Sequence, residues 1–110
     1  MFPFLFEIKG IPLPDNHNFG SIGGAFIHVI VISNNIDSAR ESALSFIRQS
    51  LWEPQTFENA FEILPEQVSL LDTVEAALYS KALRDGISAM FVAYSKVDGN
   101  PDDPILIGHP

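Results

Sequence analysis

The chain predicts an α+β domain, and three observations carry that prediction. Residues 2–9 and 56–63 alternate their side chains with the period of a half-buried strand. Residues 25–32 (AFIHVIVI) run apolar on both faces, as a central strand does. Residues 38–51 and a stretch beginning at Pro65 repeat apolar residues three and four apart, the spacing of a buried helical stripe. With a last strand at 87–96, the predicted order is β-β-α-β-α-β. A hydrophobic fraction of 46% in 110 residues, nine of them Phe, is enough for a single core. One domain is expected over 1–97, followed by an irregular tail over 98–110 that carries three prolines and two glycines.

In the first strand Phe2, Phe4, Phe6 and Ile8 point one way and Pro3, Leu5, Glu7 and Lys9 the other. Pro3 suggests an edge position or an unpaired beginning. Residues 10–24, rich in Gly, Pro and Asn, read as a long loop. After the second strand, Ser33-Asn34-Asn35 is a break, and Asp37 or Ser38 is the expected N-cap, with Ser38 and Glu41 spaced as a capping box. Trp52-Glu53-Pro54 ends the helix, since a residue before proline resists the α region. In 56–63 the alternation places Phe57, Phe61 and Ile63 on one face and Glu58, Ala60 and Glu62 on the other. Pro65 suits the first position of a helix marked by Val68, Leu71, Val74, Leu78 and Ala82 and closed by Gly86. Asp72 and Glu75 are also spaced as a capping box. That alternative starts the helix later and leaves 66–71 as a short strand.

Each β-α-β step is expected to be right-handed. If the strand order moves back across the sheet, both helices fall on one face of four strands. The expected architecture is then a two-layer sandwich whose topology resembles ferredoxin-like folds, with the other sheet face bare. The 66–71 strand alternative gives the order β-α-β-β-α-β preceded by an extra strand. A likeness of topology implies no activity.

Charge narrows the partners. The formal net charge is −8, and the six cations are scattered. Nucleic acid and anionic membranes are therefore unfavourable partners, because both are bound by clustered Lys and Arg. From Arg48 to Lys81 there are six carboxylates (Glu53, Glu58, Glu62, Glu66, Asp72 and Glu75) and no cation between them. A basic protein partner is compatible with this balance. The absence of cysteine excludes disulfides, thiolate metal sites and thiol nucleophiles. The first residues carry no basic leader, and no apolar run approaches the roughly 20 residues that span a bilayer. A soluble, cytoplasmic protein is expected.

Strand periodicity defines the candidate site. If the helices cover Phe4, Phe6, Ile27, Val29, Val31, Phe57, Phe61 and Phe91, the bare face shows Phe26, His28, Met90 and Tyr94 with Glu58 and Glu62. This mixture of apolar centre, carboxylates, imidazole and phenol is the candidate binding face. A homodimer packed through it is the first expectation, since a monomer rarely leaves such an area uncovered. A pocket for a small molecule, or an acid–base pair of His28 with Glu58 or Glu62, is the alternative. A third reading is an acidic neutralising partner of a basic protein, of the immunity type.

No serine or threonine sits in a nucleophile elbow. His17 with Asp15, and His109 with Asp102 and Asp103, lack the spacing of a metal site, so no metal is expected. Gly20, Gly23 and Gly24 precede a strand, whereas a phosphate cradle leads into a helix. No cofactor is implied.

Overall fold

The computed structural model describes residues 1–95 and 104–106. Strands β1 (Phe2–Pro12) and β2 (Ile22–Ser33) form a long antiparallel hairpin in which Phe2 faces Ser33 and Gly10 faces Ala25. Both strands extend further than their alternating cores at 2–9 and 25–32. The connection shrinks to 13–21, where the side chain of Asn16 donates to the Leu51 carbonyl at 3.0 Å and accepts from the Asn18 amide at 2.9 Å. This buried Asn supplies the turn that the Pro- and Gly-rich sequence announces.

Two strands add to the hairpin's outer edges. β3 (Trp52–Glu62) pairs with β1, β4 (Ile87–Ser95) pairs with β2, and β5 (Pro104–Leu106) pairs with β4. The sheet is antiparallel throughout, in the order β3-β1-β2-β4-β5. β1 is therefore an inner strand, and Pro3 lies at its beginning. β5 shows that the tail is not wholly irregular; the rest of 98–110 lies outside the described residues.

Helix α1 (Ile36–Gln49) starts at Asn35, whose side chain accepts from the Ser38 amide at 2.8 Å, so the cap lies two or three residues earlier than expected. The helix ends at Gln49 rather than 51, and Leu51 follows in the left-handed region at φ 68°. α2 (Pro65–Val68) is a single turn, and α3 (Thr73–Asp85) begins afresh at Asp72. The expected unbroken helix from Pro65 is thus two helices, and 66–71 is not a strand either. The break follows from the reciprocal cap: Glu75 N–H donates to Asp72 Oδ1 at 2.7 Å, and Asp72 N–H to Glu75 Oε1 at 3.1 Å. Asp72 in extended conformation satisfies orphan amides that a continuous helix would have used internally. Gly86 closes α3 at φ 90°, as its position suggests.

Helices α1 and α3 lie on opposite faces of the sheet, contrary to the expected two-layer, ferredoxin-like sandwich. Ala39, Ala43 and Ile47 of α1 join a cluster with Phe4, Phe6, Ile27, Val29 and Phe91. Leu78 and Ala82 of α3 join Leu5, Ile30 and Ile63 instead. Phe4 and Leu5, or Val29 and Ile30, are neighbours in a strand and so point to opposite faces. The reason is topological. β2 and β3 are parallel, both being antiparallel to β1, so the handedness rule governs the α1 crossover. β3 and β4 are antiparallel, and that rule does not constrain α3.

The α1 face is the main core. Fifteen buried residues meet there against five on the α3 face among the described residues. Small residues of both layers belong to this cluster, Ala39 and Ala43 of the helix with Ala25, Ala89 and Ala93 of the sheet. On the other face α3 is tied down by a buried hydrogen bond, Ser88 Oγ–H donating to the Leu78 carbonyl at 2.6 Å.

β3 departs from simple alternation. Asn59 pairs with Glu7 but Phe57 with Ile8, and Thr56 pairs with Lys9 but Pro54 with Gly10. Glu58 and Gln55 are therefore extra residues, each marking a β-bulge. Pro54 is tolerated because β3 is an edge strand among the described residues.

Candidate binding cleft

The bulge at Glu58 redistributes the residues expected to share one face. Glu62 pairs with Phe4 and Ala60 with Phe6, so both belong to the α1 face. Phe61 pairs with Leu5 and lies on the α3 face, whereas Phe57 remains on the α1 side, edge-on to Phe6 at 6.0 Å between ring centroids. Glu62 and His28 are thus on opposite sides of the sheet. Glu58, exposed and without a pairing partner on β1, is separated from β2 by a whole strand, roughly 10 Å at ordinary strand spacing. The sequence's acid–base pair is not assembled.

The other candidates do share the α3 face. His28 faces Glu7 on one side and Met90 on the other, Phe26 faces Lys9 and Val92, and Tyr94 faces Gly24. Phe26 and Tyr94 have ring centroids 5.8 Å apart, and Lys9 Nζ stands 5.5 Å from the Phe26 ring centre. Tyr94 lies so close over Gly24 that any Cβ there would overlap its phenol. This aromatic strip lies beyond the reach of α3, which packs over Leu5, Ile30 and Ile63.

A cleft of about 450 Å³ opens where α3 stops covering the sheet. Its floor is Leu5, Ile30, His28, Met90 and Val92, and Leu71, Val74 and Leu78 form the opposite wall. Asp72 and Glu75, the reciprocal cap of α3, are the carboxylates of its lining. His28 is half-buried, and its imidazole makes no hydrogen bond to another described residue. Apolar groups are exposed beside this cleft: Leu70, in the connection between α2 and α3, is 80% exposed, and Val74, in the first turn of α3, is 53% exposed.

Periodicity found the sheet half of this cleft, His28 and Met90, but missed the helical half. The signal was present in Asp72 and Glu75, whose capping-box spacing fixes the start of α3. Nothing in the spacing says which sheet face that helix covers.

Elsewhere the charged groups form surface pairs. Arg84 donates to Asp85 at 3.1 Å, and this hydrogen bond holds the Asp85 carboxyl below its ordinary range and raises the Arg84 guanidinium. Arg48 lies 3.7 Å from Glu53. Such exposed pairs contribute little to stability. Asp15 and His17 are both exposed, and no three His, Asp or Glu side chains gather as a metal set among the described residues. The group of Asp102, Asp103 and His109 lies outside the described residues. No described helix is long and apolar enough to cross a membrane.

Compared with models of protein families, with curated proteins and with solved structures, the chain matches none.

Proposed function

We propose that this chain is a small, non-enzymatic binding domain whose ligand occupies the cleft between α3 and the sheet. The observation that carries this reading is the makeup of the cleft. Its volume of about 450 Å³ lies within the roughly 300–1,000 Å³ usual for small-molecule sites. Eight of its eleven lining residues are apolar, and the polar remainder is His28, Asp72 and Glu75. Burying a ligand against such a wall is favourable by roughly 25 cal/mol per Å² of apolar surface removed from water. An acid–base reaction has less support, because the carboxylates expected to serve His28 stand elsewhere.

The test is saturable binding of a neutral apolar dye, N-phenyl-1-naphthylamine, followed by its emission. Val92→Phe adds a ring to the floor and should weaken binding at least about tenfold, without lowering the thermal midpoint by more than a few degrees. Absence of saturable emission from the unmodified protein sinks the reading.

Self-association is a second reading, favoured by the exposure of Leu70 and Val74 beside the cleft. It replaces the flat sheet-to-sheet dimer, since α3 occupies part of the face that would have been bare. Light scattering at high concentration should then give twice the mass of one chain, and a single-chain mass there ends it.

A further inference from the structure

We infer that the ligand of this cleft is a cationic amphiphile, an apolar body ending in an amine. The inference rests on the binding reading above and adds the chemistry of the ligand's head. Of the ionisable groups lining the cleft, two are carboxylates, Asp72 and Glu75, and the third is the imidazole of His28; no Lys or Arg is among them. The N-terminus of α3 contributes about half a positive charge, which alone would favour an anion. Here that end is already answered by the two carboxylates, each accepting from the other's backbone amide at 2.7 and 3.1 Å. The charge left at the rim is negative.

The same interactions fix the carboxylates in place. They are held by the helix start and are not free to swing into solvent. An ammonium group entering beside them gains attraction without reorganising the rim, while a carboxylate head meets repulsion there. The cations of α3, Lys81 and Arg84, line an adjoining depression that shares Val74, Leu78 and Met90 with the cleft, and neither of them lines the cleft itself.

The experiment displaces N-phenyl-1-naphthylamine with octylamine, octanol and octanoate, three heads on one apolar chain, at low salt and neutral pH. Octylamine should displace the dye at a concentration at least about tenfold lower than octanoate, the size expected for two unit charges acting near a protein surface. The double variant Asp72→Asn, Glu75→Gln keeps acceptor oxygens for both capping bonds and removes both charges. In it the ratio between amine and carboxylate should fall towards one.

If all three compounds displace the dye alike, or octanoate does so best, the inference is overturned and the binding reading stands. A preference for octylamine that survives in the double variant also overturns it, because the carboxylates would not be the cause. If the dye itself does not bind, the binding reading fails and takes this inference with it.

Discussion

The two faces of the sheet are built from the same strands and finished differently. On the α1 face every strand from β1 to β4 contributes to one cluster, closed by three small or aliphatic helix residues, Ala39, Ala43 and Ile47. On the α3 face the helix covers one end only and leaves a cleft and an aromatic strip. The helices also differ in how they begin. α1 has one side-chain cap from Asn35, whereas α3 has a reciprocal one whose two carboxylates face the cleft. A chain of this size thus assigns its stability chiefly to one layer. The other is left able to accommodate something else.

The largest expected effect separates the faces by truncation. Ile27, with no exposed surface in the α1 core, should cost about 3–4 kcal/mol when changed to Ala. Leu78, which borders the cleft, should cost about 2 kcal/mol, because the site is already open on one side and less packing is lost. Denaturant unfolding measures both, and equal losses would break the comparison.

A smaller effect tests whether the layers respond separately. Asp72→Ala removes the cap of α3 and should cost about 1 kcal/mol. Hydrogen exchange should quicken in the first turn of α3 and not in α1. The single tryptophan, Trp52, is buried in the α1 core with its ring 5.6 Å from that of Phe91, so its emission should stay unchanged. A shifted Trp52 spectrum would mean that the faces are coupled.

The main core was legible in the sequence because its strands keep a strict period. Phe4, Phe6, Ile27, Val29, Val31 and Phe91 all face α1 as their alternation requires. The start and end of α3 were legible in Asp72, Glu75 and Gly86, although the apolar spacing of Val68, Leu71 and Val74 runs on through the break and hides it. Two things were hidden for physical reasons. An antiparallel crossover carries no handedness, so the side taken by α3 is decided by which apolar faces meet in three dimensions. A bulge residue has the same composition as any strand residue, so Glu58 reads as part of an unbroken alternation. The candidate site inherited both gaps. His28, Phe26, Met90 and Tyr94 lie on one face as their alternation requires, with His28 and Met90 lining the cleft, whereas its helical wall and the position of Glu62 were not legible.

The paired bulges of β3 make that strand tolerant of shortening at two points. Gln55 and Glu58 are each left out of the pairing with β1, and every residue on either side has its partner without them. A chain lacking one of them, or both, would close the bulge and keep Trp52 opposite Pro12, on the α1 face. A change of length in this edge is therefore absorbed where the strand already bulges, and the core it flanks keeps its register.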